Sequence, residues 1–102
     1  MSEILKINNL KTPDEKGYVD IDISVWLKTE TILNVNFSAK NERTKVNAPE
    51  VFDPIKSTFS GVYLKPYIQN GINGNFYTVR IYVRTNNDSY GTFFLQFGVK
   101  DY

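Results

Sequence analysis

Two tetrads of alternating residues carry most of the chemistry this chain can offer. Asp20, Asp22, Ser24 and Trp26 stand at every second position of one segment, and Thr78, Arg80, Tyr82 and Arg84 do the same in another. In a strand each set shares one face. The first face is acidic and ends in an indole; the second pairs two guanidiniums with a phenol. Asp20 and Asp22 are of a type that can ligate a hard cation such as Mg²⁺ or Ca²⁺, although two carboxylates on a strand more commonly form a solvated face. Arg80, Tyr82 and Arg84 suit either a partner protein, where Tyr, Trp and Arg are enriched, or single-stranded nucleic acid, with Tyr82 stacking a base and the arginines holding phosphates.

Catalysis is the weakest reading. The chain contains no His and no Cys, which removes the commonest general base and the most nucleophilic side chain. No Ser stands in a Gly-x-Ser-x-Gly turn, and Asn70-Gly-Ile-Asn-Gly74 lacks the Lys-Ser/Thr that completes a phosphate loop. A non-enzymatic chain without cofactor or metal is the expectation. Net charge is +1, from 12 basic and 11 acidic residues, so no global field attracts nucleic acid or acidic lipid. No window approaches the roughly eighteen apolar residues of a membrane span, and Met-Ser-Glu-Ile-Leu-Lys6 lacks the basic head and apolar stretch of a signal peptide. The expected setting is the interior of a cell or a virion, without a membrane partner.

The elements that must position the two tetrads are strands. Val19, Ile21, Ile23 and Val25 form the apolar complement of the acidic tetrad, and Leu33, Val35, Phe37 and Ala39 repeat the alternation, so residues 18–40 read as a hairpin closed by Lys28 to Thr31. Tyr77, Val79, Ile81 and Val83 followed by Phe93, Leu95, Phe97 and Val99 read as a second hairpin, with turn residues Asn86 to Gly91. A short apolar segment and a turn precede each: Ile4 to Leu10 with Thr12 to Gly17, and Val62 to Ile68 with Asn70 to Gly74. Between the copies, Asn47-Ala-Pro-Glu50 resembles a helix start, with Val51, Phe52, Ile55 and Phe59 at helical spacing and Pro54 keeping any helix short.

The expected fold is one mainly-β domain over residues 1–102 with minor helix (α+β in the broad sense). Two similar strand-turn-hairpin motifs, about residues 3–42 and 61–102, are related by pseudo-twofold symmetry and joined by a linker at about residues 43–60. The seam between them is expected to hold a groove bordered by Trp26 and Tyr82, where Asp20 and Asp22 of one copy meet Arg80 and Arg84 of the other. An extended peptide or a partner's strand fits such a groove, taking affinity from backbone hydrogen bonds. The alternative is single-stranded nucleic acid on Arg80, Tyr82 and Arg84, its track extended by Lys40, Arg43 and Lys45. Edge strands that nothing blunts leave the chain a monomer or a homodimer.

The length, the richness in Tyr, Asn, Ile, Lys and Val, the absence of Cys and His, and the matching of Tyr18–Lys40 with Phe76–Lys100 resemble the small orphan proteins of filamentous viruses of hyperthermophilic archaea. That resemblance supplies no catalytic or binding residues. It implies a viral setting and an interaction directed at host or virion. Asn70-Gly71 and Asn73-Gly74 depart from the depletion of thermolabile residues in heat-adapted proteins, so the resemblance requires those turns to be held in place.

Overall fold

The computed structural model describes residues 2–6, as a backbone strand, and residues 15–100. Among the described residues strands predominate, with helix confined to two single turns, and the Cα radius of gyration is 13.6 Å. The expected segment Ile4 to Leu10 is thus described only through Lys6. Thr12, Pro13 and Asp14 of the expected first turn lie outside the described residues.

The second predicted hairpin forms as read. β9 (Phe76–Thr85) and β10 (Tyr90–Gly98) pair antiparallel through nine consecutive partners, from Tyr90 opposite Arg84 to Gly98 opposite Phe76. Tyr77, Val79, Ile81, Val83, Phe93, Leu95 and Phe97 are all buried on one face. The turn is held by Thr85. Its hydroxyl accepts hydrogen bonds from the amides of Asn87 (3.3 Å) and Ser89 (3.0 Å) and donates to Glu30 Oε1 (2.6 Å). Asp88 takes the left-handed conformation that Asp and Asn tolerate there, with φ +56°.

The first predicted hairpin does not form. β4 (Ile32–Asn41) pairs instead with β9, from Ile32 opposite Thr85 to Asn41 opposite Tyr77, with a register irregularity at Leu33 that leaves Ile32 buried and Leu33 exposed. Tyr18 to Leu27, the expected partner strand, breaks into three pieces. β2 (Gly17–Tyr18) pairs with β8 (Tyr67–Ile68), β3 (Ile21–Asp22) pairs with β7 (Tyr63–Lys65), and Ser24–Leu27 is a helical turn, α1. The cause is local: Asp22 Oδ1 accepts the Ser24 amide at 2.8 Å, the side-chain-to-backbone bond by which Asp diverts a chain out of a ladder. Helical spacing then replaces alternation. Ile23 and Leu27 are buried while Val25 is 90% exposed, and Lys28 at φ +58° ends the turn. Pro66 interrupts the facing ladder, since it has no N–H to donate; its carbonyl accepts from Val19 at 3.0 Å.

The main sheet runs β1 (Ser2–Lys6), β10, β9, β4, β5 (Val46–Asn47), with β1 parallel to β10. A second layer is built from β2 and β3 with β6 (Thr58–Ser60), β7 and β8. One cluster joins the two: Ile21, Ile23, Leu27, Val51, Phe52, Leu64 and Ile68 pack with the inward residues of β9 and β10. The linker carries the expected helical turn as a 3-10 turn, Pro49–Val51, preceded by Ala48 without a side-chain cap from Asn47. Helical spacing does not continue beyond it. Asp53 Oδ1 accepts the amides of Ile55 (2.9 Å) and Lys56 (3.1 Å), a local turn that leaves Ile55 92% exposed and places Phe59 in β6.

The Asn-Gly turns are tied down. Asn70 Nδ2 donates to the Glu50 carbonyl at 3.1 Å, the Ile72 amide to Tyr77 Oη at 2.9 Å, and the Gly74 amide to the Val99 carbonyl at 2.8 Å. At Gly71, φ is +106° and a Cβ would come within 2.6 Å of Val99 Cγ2, so only glycine fits.

The break at Asp22 predicts opposite outcomes for two neighbouring apolar residues. Leu27→Ala should lower the free energy of unfolding by about 2–5 kcal/mol, and Val25→Ala by no more than about 0.5 kcal/mol, in urea titration. A continuous strand with Val25 inward gives the reverse ranking.

Candidate functional site

Because β9 is central, its outward residues are flanked on both sides. The register places Asn34, Arg84 and Tyr90 in one row across β4, β9 and β10. The following rows are Asn36, Tyr82 and Thr92; then Ser38, Arg80 and Phe94; then Lys40, Thr78 and Gln96. This is a polar, aromatic and basic face on the side of the sheet away from the core. Arg80 Nη1 donates to Tyr82 Oη at 2.8 Å, and the guanidinium sits 5.7 Å from the Tyr82 ring centroid and 5.8 Å from that of Phe94. Such contacts are favourable by about 0.5–1 kcal/mol at exposed sites. Arg84 lies 5.9 Å from the centre of the Tyr90 ring, and its Nε and Nη2 donate to Asp88 Oδ1 at 3.2 and 2.9 Å. That bond raises the guanidinium pKa further.

Beside Arg80 the face dips into a concavity of about 260 Å³ lined by Ser38, Lys40, Asn47, Thr78, Phe94 and Gln96. Glu42 closes one side. It accepts the Thr78 hydroxyl at 2.7 Å and pairs with Lys40 (3.3 Å) and Lys45 (3.4 Å). The Thr78 bond, which outweighs the opposing desolvation, holds its carboxyl below the usual glutamate value, with smaller help from Lys40 and Lys45. A second depression, lined by Arg43, Lys45, Phe76, Thr78 and Gln96, continues from it.

The other candidate surface is the free edge of β4. The carbonyls of Ala39 and Asn41 accept from Ala48 (2.9 Å) and Lys45 (2.8 Å) on the side away from β9. Alternation in an antiparallel ladder therefore turns the N–H and C=O of Val35 and Phe37 to that same side. β5 covers only Lys40 and Asn41. Among the described residues, no backbone group bonds to this edge at Val35 or Phe37. Alongside it runs a groove of about 400 Å³ lined by Val35, Phe37, Phe52, Pro54, Ser57 and Phe59, with the Phe37 and Phe52 rings 6.3 Å apart.

The six sequence-predicted residues do not converge. Arg80, Tyr82 and Arg84 share the outer face as expected. Trp26 lies on the opposite side of the sheet, half-buried, its ring edge-on to Phe93 at 5.4 Å and so close to Gly91 that a Cβ there would stand 2.6 Å from Trp26 Cζ2. The expected groove between Trp26 and Tyr82 is therefore absent, because the helical turn carries the indole to the core side. Asp20 pairs with Lys65 at 2.9 Å, and Asp22 accepts the Ser24 amide where the turn begins. Neither meets Arg80 or Arg84. Among the described residues no group of three or more His, Cys, Asp or Glu stands together as a metal site. Sequence reasoning missed the groove, whose walls come from β4 and from a linker segment whose helical spacing is not realised in the fold. It also missed Phe94 and Tyr90. The doublet Phe93-Phe94 in a strand was the available clue, since adjacent residues take opposite faces.

Glu42 and Glu30, the latter bonded to Thr85, both sit below the ordinary glutamate value of 4.5. A carboxylate whose folded pKa is depressed contributes stability that is complete above its unfolded pKa and disappears as pH falls through the folded one. The urea midpoint should therefore drop below about pH 4.5, and drop less steeply in Glu42→Gln; equal acid sensitivity in the variant would show that Glu42 contributes nothing. No family model, curated protein or solved structure matches this chain.

Proposed function

We propose that this protein is a non-enzymatic binding module that receives an extended peptide segment of a partner protein along the edge of β4. The observation that carries the reading is the pair Val35 and Phe37. Both turn their backbone hydrogen-bonding groups outward at an edge, and both line the adjoining groove, where Phe52, Pro54 and Phe59 stand beside Asn34, Asn36, Ser57 and Thr58. A strand added there satisfies those groups, at about 0.5–1.5 kcal/mol net for each bond. Its alternate side chains enter the groove against Phe52 and Phe59, and the others emerge beside Asn34, Asn36 and Ser38. Main-chain bonds give affinity and the groove gives selectivity. The preferred ligand alternates apolar and polar residues.

A viral setting, implied by the resemblance to orphan proteins of archaeal filamentous viruses, suits a module of this kind and makes a host or virion protein the natural partner. A second copy of the chain, paired edge to edge, is the homodimeric form of the same interaction.

The test is selection from a displayed library of random peptides. Ligands should share the apolar alternation, protect the Val35 and Phe37 amides from hydrogen exchange, and bind about tenfold or more weakly when their own alternate amides are methylated. Val35→Pro removes an N–H that β9 does not use and should weaken capture to a similar degree, whereas Arg80→Ala should leave it unchanged. Ligands that bind Val35→Pro as well as the parent protein would sink the reading.

A further inference from the structure

The outer face of β4, β9 and β10 adjoins that edge along β4 but presents different chemistry. We propose that it binds single-stranded nucleic acid, with Tyr82, Tyr90 and Phe94 as stacking surfaces and Lys40, Arg80 and Arg84 as phosphate contacts.

Arg80 carries the argument. Among the described residues it has no carboxylate within ion-pair distance; its bonded partner is the Tyr82 phenol oxygen. A guanidinium has five N–H donors in a planar fork, so donors remain for a phosphate, and Tyr82 and Phe94 hold the plane in place. The charges around it favour an anion. Glu42 offsets one of the two lysines it pairs with, and Asp88 offsets Arg84, which leaves Arg80 and one lysine uncompensated. Tyr82 and Tyr90 are among the exposed large side chains, in adjacent rows on neighbouring strands of the sheet. Aromatic side chains interleaved with arginines are the means by which proteins hold unstacked bases without reading their sequence. Next to these rows the concavity beside Arg80 offers the Ser38 hydroxyl and the amides of Asn47 and Gln96, donors and acceptors suited to the edge of one base. The depression beyond it, with Arg43, Lys45 and Phe76, continues the same chemistry along the sheet.

The near-zero net charge sets the scale of the interaction without opposing it. Long-range attraction follows net charge, whereas the contacts follow the local patch, so micromolar affinity at low salt is the expectation. Duplexes hide their base faces and should bind more weakly than single strands.

Fluorescence anisotropy of a labelled oligothymidylate of about ten nucleotides, with its duplex as control, tests this between about 50 and 200 mM salt. Three phosphate contacts give a slope of log K against log salt of about −2. Arg80→Ala should weaken binding and reduce that slope by about one. Tyr82→Ala should weaken binding about tenfold with the slope retained, and Tyr82→Phe should bind nearly as the parent does. All three changes are on the exposed face, so folding should persist by far-ultraviolet circular dichroism. Val35→Pro should bind the oligonucleotide like the parent, which separates this surface from the peptide edge. No binding at low salt, equal affinity for the duplex, or indifference to Tyr82→Ala would each overturn the proposal.

Discussion

Everything on the outer face is placed by what β9 buries. Its inward residues Tyr77, Val79, Ile81 and Val83 are sealed between the sheet and the second layer, and its two neighbours hold it by backbone ladders on both sides. A strand has a period of two, so a slip of one residue would send Arg80, Tyr82 and Arg84 into the core and the apolar set into water. Burying unpaired guanidiniums is prohibitive. The apolar residues thus fix the display of the polar ones, which gain a rigid mounting without needing contacts of their own.

The two proposed surfaces differ in what they would ask of a ligand. The edge at Val35 and Phe37 presents main-chain groups beside a groove, whereas the face around Arg80 presents charged and aromatic side chains. They meet at β4, whose outward residues Asn34, Asn36 and Ser38 border both. Glu42 lies where the lysine-bearing end of β4 reaches Thr78. There it limits the positive potential and orders Lys40 and Lys45 about a single carboxylate.

The second half of the chain was legible because its alternation is unbroken and its turn chemistry conventional. Each inward residue from Tyr77 to Val99 stands where the pattern puts it. The first half was not, although its alternation looked equally good. Val19 through Val25 alternate as well as Val79 through Val83 do, but alternation does not register a carboxylate able to reach the amide two residues on. Asp22 makes that bond, and the periodicity changes from two to nearly four within a few residues. The resulting turn moves Trp26 across the sheet, which separates it from Tyr82. In the linker, Asp53 redirects the chain by the same kind of bond, so Phe52 and Phe59 form the groove opposite β4 rather than one stripe of a helix. Arg80, Tyr82 and Arg84 were readable because only strand geometry is needed to gather them. The groove was not, because it depends on which strand β4 chooses as a partner.

The seating of Trp26 has an optical consequence. It is the only tryptophan in the chain, and it rests against Phe93 and Gly91 on the core side of the sheet. Both proposed surfaces lie elsewhere. Indole emission should therefore follow the integrity of the fold and stay constant in titrations of either proposed surface.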